Sequence, residues 1–261
     1  MPNPRAEIQP TISPGMVHIW KLWMNDGDNG ALLDLLSPDE RARAHRFQFD
    51  LHRLRFVACR ARLRMLLAHY TASDARRISF VSNRHGKPAL GGALSASGIQ
   101  FNVSHSEDLA VLAFSLGFRI GVDVEWARPS EWQDQIARNH FSADEYRFYA
   151  ATPPAYRYRV FFSCWTRKEA YLKAIGKGLS FPMKQVSTGL PNARSVLASA
   201  SGSRRWSMQA FTPAPGYVAA LVAEDPDCGV MHLSRSDLPR CAQAARHVGG
   251  DRPVSIVDQP E

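Results

Sequence analysis

Two stretches in the second half of the chain hold side chains that could do chemistry together. Strand alternation in Ile120-Gly-Val-Asp-Val-Glu-Trp126 puts Asp123 and Glu125 on one face and Ile120, Val122, Val124 and Trp126 on the other. Two carboxylates pointing one way can begin a cation site but need a third ligand; without it they are the wet side of a half-exposed strand. The helical stretch Trp165-Thr-Arg-Lys-Glu-Ala-Tyr-Leu-Lys173 places Glu169 and Lys173 one turn apart, which alone reads as a surface ion pair. Lys168 falls inside the apolar stripe of that helix, between Trp165 and Leu172. A charge there requires a partner or a polar cavity, and a bound phosphate would be one such partner.

Two turns add polar groups. Asn102-Val-Ser-His-Ser106 ends a short strand with hydroxyls and an imidazole, and Ser104 and His105 in such a turn suit phosphate oxygens. Ser104, His105 and Asp108 are too close in sequence to form a hydrolase triad, and no Gly-x-Ser-x-Gly elbow exists. Asn83-Arg-His-Gly-Lys-Pro88 either presents Lys87 at its edge or is a plain connector. Gly176-Lys177-Gly178 lacks the rest of a P-loop, so Gly176 is expected to cap a helix C-terminus.

These residues need elements to position them, and the chain repeats its plan. At an offset of 105, Leu36-Ser-Pro-Asp-Glu40 falls on Phe141-Ser-Ala-Asp-Glu145, and Arg55-Phe-Val-Ala-Cys-Arg60 on Val160-Phe-Phe-Ser-Cys-Trp165. Each Ser-x-x-Glu reads as a capping box opening a helix. A longer helix follows in each half, with stripes Phe56, Cys59, Leu63, Leu66, Leu67 and Phe161, Cys164, Trp165, Leu172, Ile175. The partners of those stripes are short runs of β-formers beginning at Ile78, Gln100, Ala110, Ile120, Trp206 and Val218. The same offset puts Arg64 where the second half has Glu169. The expected divisions are 1–120, 121–224 and a partly disordered tail, 225–261.

Composition narrows the classes. With 261 residues, 45% of them hydrophobic, the chain can bury a sizeable core. No signal-like start or membrane-length apolar run is present, so a cytoplasmic protein is expected. Four scattered cysteines, Cys59, Cys164, Cys228 and Cys241, argue for buried thiols rather than zinc or disulfides. The formal net charge of +8 calls for an anionic partner, and no nucleic-acid motif accompanies it.

The order Gly-Lys-Pro, Phe-Asn-Val-Ser-His-Ser, Gly-Val-Asp-Val-Glu, then Trp-Thr-Arg-Lys-Glu-Ala-Tyr-Leu-Lys-Ala-Ile-Gly-Lys-Gly-Leu resembles the 4'-phosphopantetheinyl transferase superfamily, of the type that activates surfactin synthetase. The resemblance spans about Leu36 to Val222. It implies an α/β (α+β) fold of two similar halves related by a pseudo-twofold axis, with coenzyme A in the cleft between them. By position, Asp123, Glu125 and Glu169 match magnesium-binding carboxylates, and Lys168 and Lys173 match lysines near the pyrophosphate. Lys87, Ser104 and His105 match contacts to the coenzyme's phosphates and adenosine, and Arg55 and Arg60 are expected at its 3'-phosphate. The first short helix has no lysine, so Arg41 or Arg43 would have to serve there, and Phe56 stands where some relatives have a hydroxyl.

The implied reaction moves the phosphopantetheine arm of coenzyme A to a serine of an apo acyl, peptidyl or aryl carrier protein and releases 3',5'-ADP. Asp123, Glu169 and Lys173 carry the catalysis in that reading. Glu169 would be the base, directly or through a metal-bound water, and Lys173 would stabilise the leaving group. Carrier proteins of this kind are acidic, which the +8 charge suits. The segment from Trp126 to His140 either receives the carrier or packs its two tryptophans under a loop. A monomer that binds neither nucleic acid nor membrane is expected.

Overall fold

A computed structural model describes residues 11–25, 30–178, 181–189, 195–198 and 205–238. The chain runs β1 (Met16–Trp23), α1 (Gly30–Leu33), α2 (Pro38–His45), α3 (Asp50–Thr71), β2 (Phe80–Ser82), β3 (Pro88–Leu90), β4 (Ile99–Ser106) and β5 (Leu109–Leu116). The second half follows with β6 (Ile120–Trp126), α4 (Gln133–His140), α5 (Ala143–Ala151), α6 (Pro154–Ile175), β7 (Ser195–Ala198), β8 (Arg205–Phe211) and β9 (Tyr217–Ala223); β10 (Gly229–Ser234) closes the order. One sheet has the order β10-β1-β5-β4, a second β6-β9-β8-β7, and β2–β3 is a separate hairpin.

The repeat is structural. The antiparallel trio β1-β5-β4 has the same order and connections as β6-β9-β8. Both capping boxes form: Ser37 and Ser142 accept from the N–H groups of Glu40 and Glu145, whose carboxylates return to the serine N–H groups. The long helices α3 and α6 have 22 residues each. Each lies on the outer face of its own sheet, α3 against Trp20, Leu112 and Phe114, α6 against Trp206, Met208 and Val222. The inner faces meet each other, Val17, Ile19, Leu109 and Val111 from one sheet with Val122, Val124, Ala219 and Leu221 from the other. Cys59 and Cys164 are buried free thiols, as expected, and Cys228 is buried beside the Ser207 hydroxyl; Cys241 lies outside the described residues.

Two expectations change. Residues 225–261 do not all lie outside the halves: β10 runs parallel to β1, from Met16 opposite Gly229 to Lys21 opposite Ser234, and extends the first sheet. Its composition hides it, because an edge strand need not alternate, and Gly229-Val-Met-His-Leu-Ser234 does not. A Cβ at Gly229 would stand 2.5 Å from the Met16 sulfur, a contact that the flexible methionine could relieve by moving. Residues 239–261, the rest of the expected tail, lie outside the described residues. The apolar face of β6 turns to the core between the sheets, so the Gly121, Asp123, Glu125 face meets α6 rather than water. Asp123 is 3% exposed.

Candidate active site

The two halves are joined along β4 and β6, the facing edges of their sheets. Asn102 Oδ1, Ser104 Oγ and Ser106 Oγ accept hydrogen bonds from the N–H groups of Val122 (2.8 Å), Val124 (3.3 Å) and Trp126 (3.0 Å). With a period of two, these side chains satisfy edge N–H groups that would otherwise be orphaned in the interior. The hydroxyls do more. Ser104 donates to Asp123 Oδ1 at 2.8 Å and Ser106 donates to Glu125 Oε2 at 2.9 Å, so the join that holds the halves also sets the two carboxylates.

From the other side α6 brings Glu169 and Lys173. Lys173 Nζ donates to Asp123 Oδ1 at 2.6 Å and to Ser104 Oγ at 3.0 Å, so its ion-pair partner is across the site rather than one turn away. Asp123 Oδ2 and Glu169 Oε1 are buried with no hydrogen-bond partner. Burial, then the charges of Asp123 and Glu125 against the pull of Lys173, push Glu169 up to about 7. Burial and Asp123 also raise Glu125, opposed by Ser106, Lys173 and Arg128. These three carboxylates feel one another, and Lys173 is the cation seated among them.

Among the described residues no three His, Cys, Asp or Glu side chains close tightly enough to form a metal cage. The chemistry of the donor set nevertheless fits a hard divalent cation: two orphaned carboxylate oxygens, a third carboxylate held half-buried beside them, and acids raised first by burial and then by one another's charge, which a cation would offset.

The first half supplies a basic groove. Arg43, Arg46, Arg60, Ser79, Phe80 and Pro88 are among the residues lining a cavity of about 450 Å³. A second of about 200 Å³ shares Arg43, Phe56, Arg60 and Pro88 with it and reaches Val103 and His105. The guanidinium of Arg43 lies 5.0 Å from the Phe56 ring centre, and that of Arg60 5.0 Å from the Phe80 ring centre. Phe56, where some relatives place a hydroxyl, lies between these two cations, with the Arg60 guanidinium 6.0 Å from its ring centre. Desolvation by its surroundings, then Lys173 and Arg55, lower His105, while Asp123 opposes them. The smaller cavity thus ends at His105 on β4, which feels the charges of Lys173 and Asp123.

Four residues that the resemblance places at the coenzyme have partners within the protein. Lys168 is 1% exposed and spends its ammonium on Glu145 (2.8 Å) and on the carbonyls of Met183 (2.9 Å) and Val186 (2.6 Å); the partner its burial requires is a carboxylate and not a phosphate. Ser104 buttresses Asp123. Arg55 grips the β4–β5 turn, with Nε to Asp108 (2.9 Å) and Nη2 to Glu107 (3.3 Å). Lys87 donates to the carbonyls of Ile120 (2.9 Å) and Ala174 (3.3 Å). Of the alternatives on the first short helix, Arg43 lines the groove, whereas Arg41 donates to Leu36 O. The sequence alone gives no individual role to Arg46, Asn102 or Ser106, which line the groove or the seam between β4 and β6. The period-two alignment of Asn102 and Ser106 with Ser104 was the signal for the last two.

Lys168 has a counterpart in the first half, and it is not the one the offset of 105 suggests. Arg64, also 1% exposed, pairs with Glu40 at 2.7 Å and donates to the carbonyls of Ala75 and Ile78. In each half the capping-box glutamate therefore binds a buried cation of the long helix, which in turn holds the short turn beyond that helix. Burial opposes charge on Glu145, but Lys168 and the N–H groups of Thr188 and Ser142 hold it below the usual carboxylate range. Glu145→Gln keeps the shape and loses the charge, and is expected to cost about 1–3 kcal/mol in urea unfolding. Replacing Lys168 with Met in the same chain should recover part of that loss, because no unpaired ammonium remains.

The fold has two halves, with an acidic centre on the second and an arginine-lined groove on the first, and comparison gives the family of enzymes to which it belongs. A family model described as 4'-phosphopantetheinyl transferase superfamily matches residues 119–222, and one for the N-terminal part of 4'-phosphopantetheinyl transferases matches residues 22–116. The chain is similar to 4'-phosphopantetheinyl transferase HetI of Nostoc sp., 36% identical over 215 residues, 81% of this chain and 89% of that one. It is also similar to 4'-phosphopantetheinyl transferase Sfp of Bacillus subtilis, 27% identical over 214 residues, covering 78% and 89%. The chain belongs to the 4'-phosphopantetheinyl transferase superfamily and is an enzyme of that activity. No helix among the described residues is long and apolar enough to cross a membrane.

Proposed function

We propose that the protein transfers the phosphopantetheine arm of coenzyme A to a serine of an acidic apo carrier protein and releases 3',5'-ADP. The observation that supports this best is the pairing of an arginine-lined groove on the first half, suited to a phosphorylated nucleotide, with a partly buried cluster of three carboxylates on the second, the groove's His105 lying within the field of Asp123 and Lys173. Arg43, Arg46 and Arg60 bind the nucleotide end. Asp123, Glu125 and Glu169 are the residues that would hold magnesium, which when bound would neutralise and orient the pyrophosphate. Lys173, kept at the centre by Asp123 and Ser104, stabilises charge on the departing phosphate.

The carrier hydroxyl oxygen forms a bond to the pantetheine-side phosphorus while the bond from that phosphorus to the 3',5'-ADP oxygen breaks. The hydroxyl proton goes to Glu169, directly or through water. Trp132 (67% exposed) and Arg128 stand outward beyond β6 and form the carrier-receiving face, while Trp126 is folded against Gly216 and Tyr217. Both halves come from one chain, so a monomer has the whole site.

The test is intact-mass analysis of a panel of apo carriers incubated with the protein, coenzyme A and magnesium. One phosphopantetheine arm per carrier is the expected product; no carrier gaining mass would defeat the reading. The metal dependence should vary with pH in a definite sense. Below about 7 Glu169 holds a proton that a cation must displace, so the magnesium concentration for half-maximal rate is expected to rise about tenfold per pH unit of acidification. A requirement that does not change between pH 6 and 8 would remove Glu169 from the ligand set.

A further inference from the structure

The turn between β2 and β3 belongs to the first half, yet it closes the end of the helix that carries Glu169. Helix α6 ends on Gly176 in the left-handed region, φ 69°, with its N–H and that of Lys177 returned to Leu172 O. The remaining terminal carbonyls have no partner within the helix. Asn83 Nδ2 donates to Gly176 O at 3.0 Å, and Lys87 Nζ reaches Ala174 O at 3.3 Å and Ile120 O at 2.9 Å. One lysine thus spans the last turn of α6 and the first residue of β6, placing a positive charge at the negative end of the helix dipole.

The turn is built for this. Asn83 Oδ1 accepts the N–H groups of His85 and Lys87, at 2.9 and 3.0 Å, and so fixes the loop while its amide nitrogen points at α6. The approach is close: a Cβ on Gly176 would meet Asn83 Nδ2 at 2.9 Å. The other side of the same hairpin faces the basic groove, where Phe80, Ser82 and Pro88 line the larger cavity and Pro88 also lines the smaller.

We propose that Asn83 and Lys87 are positioning residues for the transfer, capping α6 from the other half of the molecule, so that one hairpin both walls the donor groove and sets the orientation of Glu169 and Lys173. The inference rests on the reading of that groove as the coenzyme A site. Neither residue touches the reacting atoms. They act through the axial and rotational setting of α6, on which Glu169 lies less than two turns from the capped end. A displacement of about 1 Å at a reacting group can cost on the order of a hundredfold in rate.

Lys87→Met keeps the aliphatic stem and removes the donor. Its kcat is expected to fall about tenfold or more with KM for coenzyme A within about twofold, the pattern of a group that acts only on the chemical step. Lys87→Arg, which can still donate to both carbonyls, should recover at least half of the loss, and Asn83→Ala should show the same split more weakly. Amide exchange in the 172–178 segment, measured without substrate, should be faster in Lys87→Met. A raised KM at unchanged kcat would mean that Lys87 contacts the donor directly and would overturn the proposal, as would an unchanged kcat in a folded variant. Should the unmodified protein fail to transfer, the donor reading itself falls. The clamp is then decided by exchange alone, and unchanged exchange overturns it.

Discussion

Asp123→Asn is expected to lower carrier modification by about a thousandfold or more while leaving the protein folded. The substitution keeps volume and removes the charge on which the site converges: Asp123 Oδ1 holds Lys173 at 2.6 Å and Ser104 at 2.8 Å, and its other oxygen has no protein partner. Loss of one preorganised electrostatic group costs about a hundredfold to a thousandfold, and here the same change also slackens Lys173. Glu169→Gln should cost a similar factor, roughly that of a general base. Because the two act on one reacting centre, the double variant should be little worse than the weaker single one. Initial rates by carrier mass decide this; either single variant within tenfold of the unmodified protein would end the assignment.

The same residues make a stability prediction of opposite sign. The Glu169 carboxyl has its pKa raised from the ordinary carboxylate value to about 7, so between those limits the folded state binds more protons than the unfolded one. Stability without metal therefore falls as pH rises through that window, and the contribution is fully present only below the unfolded pKa. Glu169→Gln should flatten the slope, and unfolding midpoints at pH 5 and 8 would show it. Lost activity together with a gain in stability at pH 8 is the signature of a site kept strained for function.

Much of this was legible. The capping boxes, the long helices and the strand alternation at 120–126 are local signals, set by hydrogen-bond chemistry and period, and they formed where the residues said. Relations across the fold were not local. Nothing around Lys168 shows that Glu145 reaches it, and nothing around Lys87 shows that it ends another half's helix. In both cases a lysine in a site-like motif is consumed by the scaffold. Strand β10 escaped because it adds at an edge with none of its residues fully buried, so no face imposes alternation on it. The carboxylates were readable as a set, but the hydroxyls that aim them come from β4, and only the join of the two sheets reveals that use.

Gly121→Ala should be more damaging than any other single-methyl change in the second half. A Cβ at Gly121 would lie 2.0 Å from Ala170 O and 2.4 Å from Ala174 N, both backbone atoms of α6, so no side-chain rotation can relieve the clash. Ala170 and Ala174 are themselves small and fully buried, and the contact surface between β6 and α6 has no slack. The helix would have to move away from the strand by an ångström or more. That lengthens the very gap across which Lys173 meets Asp123 and beside which Glu169 stands. Overpacking a core costs about 1–3 kcal/mol and sometimes more; with backbone on both sides the upper end applies, and a transfer rate about a hundredfold down follows from the displaced helix. The two effects separate by temperature, since rates of the folded fraction measured well below the midpoint should still be low. Full activity in the cold with only a lowered midpoint would show that α6 accommodates the methyl without moving Glu169, and that this glycine serves packing alone.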